Sequence, residues 1–456
     1  MRIDRHVAGP PSATALPSRG PPATAIAVDG RHGTGLSTAI GTIAVAGLTL
    51  AAFMLAIGAA GARRLFFIPA SRHAFPDWLA GPLHGLGVAI APRTGALLLV
   101  AMLAFYLCAF ATAGALSPRV VWTAVVAAHL AMVLAPPMFS ADVFAYAGYA
   151  RLFVLHGIDP YLHGADAAPL DPVRPFVTWH GIATPYGALF TFVSLPLAWV
   201  SVPVALWTCK ALAALGSLAC VGLVGRIAAA RGVNPATAVV FVGLNPLLLA
   251  YEVGGGHNDM LPVGLVLLAI LLVMRERPAG AGASAVLAFG AKASAGLTLP
   301  FVLLASRPRR SALAGAAAAG AAVLVVSIAT FSSNALSLTR QLRQQQDFVA
   351  HDSVPSRLAS LLGYDHLPAG LRALIACAFA ATVATLLWAV WRGRLDWIAG
   401  AGWATFALLL ATAWLVEWYA VWLLPLAALS RSRPLLLATV AFCAYVIVTH
   451  VHWLLL

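Results

Sequence analysis

Apolar runs of about 20 residues, the length an α-helix needs to cross the hydrocarbon of a bilayer, recur along this chain from residue 36 to residue 453. They fall near 36–60, 95–115, 119–138, 204–226, 236–253, 257–274, 311–331, 371–391, 397–415, 418–430 and 434–453, parted by short Arg-bearing or Gly/Pro-rich turns. Of the 456 residues 61% are hydrophobic and 9% charged, where soluble domains carry about 45–50% and about 25%. No water-soluble fold hides that much apolar surface, so lipid must be the solvent for most of the chain. A secreted domain is excluded, as is a transmembrane barrel, whose strands would alternate instead of running apolar. A nucleic-acid binder is excluded as well, despite a pI near 10.2. The expected fold is an all-α, polytopic helical membrane protein with about 11–13 transmembrane segments.

Charge placement orients such a chain, because cytoplasmic loops collect Lys and Arg. With the N-terminus cytoplasmic, 16 arginines and four acids fall inside and 10 arginines and 11 acids outside, leaving the inner face at +12. The basic pI is then topology and contact with anionic membrane lipid. Residues 184–226 are long enough for two spans but must cross an odd number of times, so one of the stretches 184–200 and 204–226 is expected to be re-entrant or interfacial. Residues 281–305, with Lys292 midway, are expected to form a bent hairpin. Residues 1–35 form an expected disordered cytoplasmic tail, and residues 36–456 a transmembrane domain with two long outer loops, 139–183 and 332–370. The five cysteines lie in apolar segments without paired spacing, and are expected to be core residues.

Polar residues at the outer boundary carry the candidate chemistry. A helix starting at Asp142 places Asp142, Tyr146 and Tyr149 on one face, with the carboxylate where the helix dipole favours an anion. Its bland reading is a helix-capping charge. Glu252, His257, Asn258 and Asp259 lie within eight residues around Gly254-Gly255-Gly256, where carboxylates are costly to bring into the membrane. A polar interfacial turn is the alternative. Lys292 stands alone in an apolar stretch, and an intramembrane cation is a functional candidate by default. Trp418 and Tyr419 follow Glu417 and also suit an interfacial aromatic belt. His351 and Arg357, in the second outer loop, supply an acid-base group and a phosphate partner. A carboxylate base acting on a hydroxyl, with cations holding a phosphate leaving group, amounts to glycosyl transfer from a lipid-phosphate sugar.

The runs Ser140-Ala141-Asp142-Val143-Phe144-Ala145-Tyr146, Gly157-Ile158-Asp159-Pro160-Tyr161, Thr184-Pro185-Tyr186-Gly187, Asn245-Pro246-Leu247, Gly255-Gly256-His257-Asn258-Asp259, Lys292 before Leu299-Pro300-Phe301, and Trp418-Tyr419 before Trp422-Leu423-Leu424-Pro425 occur in a telling order. The ordered set, over residues 139–425, resembles the polyprenol-phosphate-mannose-dependent mannosyltransferases of actinobacterial lipoglycan synthesis. That resemblance implies the integral-membrane GT-C fold and a polyprenyl-phosphate sugar as donor, used on the extracytoplasmic side. It also implies a glycan or glycolipid acceptor, inversion at the sugar, and Asp142 as catalytic base. The implied substrate-binding residues are Tyr146, Arg151, Tyr161, Tyr186, Glu252, His257, Asn258, Asp259, Lys292, His351, Arg357, Trp418 and Tyr419.

The chain departs from the family pattern at Tyr186-Gly187-Ala188, where Tyr-Gly-Pro is common, and at Lys292-Ala293, where Lys-Pro is. Asp142 follows Ala141, so no carboxylate pair offers a metal site there. No organic cofactor is expected, and divalent-metal use stays open. Three further readings also stay open. One is a GT-C enzyme using another polyprenyl-phosphate sugar, and a second is a structural or assembly subunit that has lost activity. The third is a secondary transporter or flippase, against which the polar residues gather at one face.

Overall fold

The computed structural model describes residues 35–62, 76–336 and 348–455. The predicted tail falls outside the described residues except for Gly35, as do Arg63, Arg64 and Arg72. Among the described residues the secondary structure is helical, with no strands. Helices of eight residues or more are α1 (Gly35–Ala62), α2 (Pro92–Thr112), α3 (Pro118–Leu134), α4 (Asp142–His156), α5 (Val202–Ala230), α6 (Pro235–Gly243), α7 (Met260–Met274), α8 (Pro278–Ala291), α9 (Arg309–Phe331), α10 (Val354–Leu361), α11 (Ala369–Trp391), α12 (Trp397–Ala411) and α13 (Arg433–Leu455). A π-helical turn, Leu247–Val253, continues α6 after a bend of 47°.

Six of these helical segments are long and apolar enough to cross a membrane, or seven if α6 and the π-turn count as one bent span. The sequence predicts more spans than this because hydropathy counts apolar residues and not the breaks between them. The apolar stretches near 119–138, 257–274 and 397–415 become the 17-residue α3 and the 15-residue α7 and α12. Residues 184–200 form two short helices, Ala188–Ser194 and Leu195–Trp199. The expected break in 281–305 is present at Lys292, whose extended backbone (φ −152°, ψ 126°) separates α8 from a short turn and the helix Leu299–Ala305. Proline at the first helical turn, which needs no backbone N–H, starts α2, α3, α5, α6, α8 and α10.

Lipid tails are as apolar as leucine, so close backbone approach through small residues, not hydrophobicity, holds membrane helices together. The α8–α9 seam shows this directly. A Cβ on Gly282 would lie 2.0 Å from the Ala312 carbonyl oxygen, and one on Gly315 1.9 Å from that of Ala279. The backbones touch where glycine allows it. Elsewhere α1 packs on α2, with Gly47 facing the Phe105 ring. By contrast α11 buries none of its residues. Leu374, Trp388 and Trp391 are exposed, as a lipid-facing helix requires, while Leu386 and Leu387 rest partly buried against the core.

The two long loop regions, 139–183 and 332–370, meet. Asn334 donates to Asp159 at 2.9 Å, and Trp179, Phe348 and Trp414 form a ring cluster with centroids 5.2–5.9 Å apart. Beneath them, the π-turn and the turn Glu417–Trp422 pack together, and the polar residues of the chain converge there.

Candidate active site

Asp142 opens α4 after a Pro136-Pro137 segment that offers no backbone N–H at either proline. The backbone turns through Phe139 (φ 63°), and the Asp142 N–H donates to the Ser140 hydroxyl at 3.1 Å. The carboxyl therefore sits at the N-terminal end of α4, where the helix dipole favours its charge. Burial nevertheless pushes its pKa up to about 6. The Lys292 charge and hydrogen bonding from Tyr186 and Ser140 pull downward, and the Asp259 charge pushes further up. A carboxyl with a pKa near neutrality is suited to accept a proton from a hydroxyl.

His257 faces it, with Nδ1 3.7 Å from Asp142 Oδ2. The glycines before it are what bring it there. Gly256 takes φ +73°, a left-handed conformation that side chains rarely adopt. A Cβ on Gly255 would lie 2.8 Å from the imidazole ring. With that space free, the ring folds back onto Trp418, stacked at 3.8 Å between centroids and 20° between planes.

Asp259 and Lys292 form the second half of the site. The wholly buried Asp259 carboxylate accepts from the Lys292 ammonium at 2.5 Å and from the indole N–H of Trp422. The ammonium also lies 5.2 Å from the Tyr419 ring centroid and 5.1 Å from that of Trp422. These two rings stack on each other at 4.1 Å. Cation and carboxylate are thus held in an aromatic cage. The break after α8 exposes Lys292 to this cage, and the turn Thr184–Gly187 docks against the same helix end. Gly187 donates to the Ala291 carbonyl, and a Cβ on it would lie 2.2 Å from the Gly290 oxygen. This contact sets Tyr186 edge-on to Tyr146 at 5.0 Å.

Within the protein, seven buried side-chain polar atoms here make no hydrogen bond: the Tyr146 hydroxyl, both Glu252 carboxyl oxygens, His257 Nδ1 and Nε2, Asn258 Oδ1 and Asp259 Oδ2. Buried polar groups are nearly always satisfied, and a ligand rich in hydroxyls supplies suitable partners. Glu252 lies wholly buried at the end of the π-turn, with its carbonyl accepting from the His257 N–H at 2.9 Å. Among the described residues no group of three or more His, Cys, Asp or Glu side chains is placed to hold a metal ion.

The structure thus brings together Asp142, Tyr146, Tyr186, Glu252, His257, Asn258, Asp259, Lys292, Trp418 and Tyr419. Four of the residues singled out from the sequence are engaged elsewhere. Arg151, two and a half turns along α4, pairs with Asp171 at 2.9 Å and donates to the Ala198 carbonyl. Although burial pushes Asp171 up, hydrogen bonds from Arg151 and His156 outweigh it and hold the carboxyl below its ordinary pKa. The Tyr161 hydroxyl bonds Thr191 at 2.9 Å and supports the Tyr186 backbone. Arg357 pairs with Asp352 beside Tyr445 of α13. His351 lies in the turn that Ala350 anchors to Ala413. Two contributors were not singled out. Trp422, the second donor to Asp259, resembles an interfacial tryptophan in sequence. Ser140 carries no signal beyond its place two residues before Asp142.

The family description "Alpha-(1->6)-mannopyranosyltransferase, N-terminal domain" matches residues 40–308, more than half of the chain, and "MptB C-terminal domain" matches residues 361–451. The chain belongs to the alpha-(1->6)-mannopyranosyltransferase family. The family assignment covers both halves of the site, since Asp142, His257, Asp259 and Lys292 lie in the first match and Trp418, Tyr419 and Trp422 in the second. The chain is 28% identical over 350 residues to alpha-(1->6)-mannopyranosyltransferase A of Mycobacterium tuberculosis strain H37Rv, covering 70% of this chain and 66% of that protein. It is 33% identical over 177 residues to the Corynebacterium glutamicum protein of the same name, covering 38% of this chain and 36% of the relative. The matches span less than two thirds of the length of these mannopyranosyltransferases. No solved structure matches the chain.

Proposed function

We propose that this protein transfers mannose from a polyprenyl-phosphate donor to a hydroxyl of a glycan or glycolipid at the extracytoplasmic face of the cell membrane, with Asp142 as general base. The observation that carries this reading is the pairing, in one buried polar site, of a carboxyl poised near pH 6 with the caged Lys292 cation.

The chemistry follows from that pairing. An acceptor hydroxyl placed against Asp142 loses its proton to the carboxylate as its oxygen attacks the anomeric carbon of the donor sugar. The bond from that carbon to the phosphate oxygen breaks, and the electron pair leaves on the polyprenyl phosphate. Attack from the opposite side inverts the configuration, so a β-linked mannosyl phosphate gives an α-linked product. Lys292 stabilises the negative charge that grows on the leaving phosphate, while Asp259 and the stacked Tyr419 and Trp422 hold it in place. The Tyr146 hydroxyl and His257 Nε2 bind sugar hydroxyls, and Trp418 fixes the imidazole plane. Arg357, paired with Asp352 beside α13, lies outside this step.

The test is transfer of radiolabel from synthetic polyprenyl-phosphate mannose to endogenous acceptors in membranes containing the full-length protein. Labelled, α-linked mannose in acceptor lipid or glycan is the expected result. Label from polyprenyl-phosphate arabinose or glucose but not from the mannose donor would replace the sugar in this reading. No transfer from any such donor would overturn it.

A further inference from the structure

Lys210 lies in the first third of α5, wholly buried, and the chemistry above does not use it. Its surroundings are unusual for an intramembrane cation. Such groups ordinarily pair with an acid or face a polar cavity, whereas among the described residues no carboxylate lies within ion-pair distance of Lys210. Its three ammonium protons instead face three backbone carbonyls: Gly254 at 2.6 Å, Pro136 at 3.4 Å and Val253 at 3.5 Å.

Those carbonyls belong to two segments that matter. Val253 and Gly254 end the π-turn and lead in three residues to His257. Pro136 starts the segment that leads in six residues to Asp142. The Gly254 carbonyl also accepts from the Met138 N–H at 3.1 Å, so the two segments already touch there. Gly256 rides over the lysine stem, and a Cβ on it would lie 3.2 Å from Lys210 Cγ. A single side chain therefore ties the backbone before the base to the backbone before its imidazole neighbour.

We infer that Lys210 is a positioning residue: its ammonium pins the Gly254–Gly256 turn to the Pro136–Met138 segment and so sets the separation between His257 and Asp142. A methionine cannot do this, because its thioether has no N–H to donate to the carbonyls. The kinetic part of the inference rests on the mannosyl-transfer reading; the structural part does not.

Two measurements on the full-length protein in membranes or detergent test it. Hydrogen exchange followed by mass spectrometry compares wild type with Lys210→Met. Faster exchange confined to residues 136–142 and 253–258 is expected. Unchanged exchange in both segments, or faster exchange throughout the chain, overturns the inference, because the first denies the tie and the second makes Lys210 a general packing residue. Should Lys210→Met fail to insert, Lys210→Leu, which likewise carries no donor, takes its place with the same expectations.

The second measurement is a double-mutant cycle on donor turnover. Lys210→Met should lower turnover by about tenfold or more, as a small misplacement near the reacting atoms does, with donor KM nearly unchanged. In a His257→Ala background it should cost little further. A loss in that background as large as in wild type overturns the route through His257. If wild type shows no transfer at all, the exchange experiment still decides the structural part.

Discussion

Asp259 immediately precedes α7 and Lys292 immediately follows α8, 33 residues apart in sequence, and the two meet carboxylate to ammonium at 2.5 Å. Their contact joins the polar turn after the π-helical segment to the break after α8. The two exposures differ: the Asp259 side chain is wholly buried and that of Lys292 is 16% exposed. The consequence is unequal, because removing one partner of a buried pair strands the other.

Lys292→Met leaves a buried carboxylate unpaired and should cost about 3–5 kcal/mol of stability. Asp259→Asn leaves a partly exposed ammonium that still faces two aromatic rings, and should cost less. Thermal unfolding in detergent, read by tryptophan fluorescence, checks the order. Equal losses, or a larger loss for Asp259→Asn, would contradict the placement of this pair.

The raised pKa of Asp142 fixes the direction of a pH profile. The base acts as the carboxylate, so turnover should rise with pH through about 6 and then level off. Stability runs the other way. The unfolded chain loses this proton near 3.8, the folded chain only near 6. Between those values the folded state holds more protons, and its stability falls as pH rises. Turnover measured from pH 4.5 to 8.5 in buffered membranes tests the first statement. A profile flat across pH 6 would remove Asp142 as the titrating base.

Gly187 is a packing test of the site's edge. Alanine there would drive a Cβ into the Gly290 carbonyl at 2.2 Å, a backbone clash that no rotamer relieves. Gly187→Ala should displace Tyr186 and lower turnover by about tenfold or more, with a lower unfolding midpoint. Wild-type turnover in this variant would contradict the docking of the Thr184–Gly187 turn on α8.

Much of the site was legible in the sequence because the membrane makes polar residues expensive. Asp142, His257, Asp259 and Lys292 stand out in apolar surroundings, and each proves to be in the cluster. The partner of a charge is less legible than the charge. Arg151 and Arg357 are conspicuous charges, yet Arg151 is held by Asp171 and Arg357 by Asp352, and no spacing rule foretells either pairing. Trp422 is hidden by its type, since a tryptophan near a helix end suits the lipid interface equally well. The same limit applies to the helices. Uniformly apolar sequence has no amphipathic period to mark a boundary, so the break at Lys292 is legible from its charge while the ends of α3, α7 and α12 are not.

The most direct test of the account replaces one atom pair. Asp142→Asn keeps the shape of the side chain and its place at the start of α4 but cannot accept the proton of the acceptor hydroxyl. It also removes the cost of a buried charge, so insertion and unfolding midpoint should match or exceed wild type. Turnover of polyprenyl-phosphate mannose by purified protein should fall by about 10²–10⁴-fold. A well-folded Asp142→Asn enzyme with wild-type turnover would contradict the assignment of Asp142 as the base.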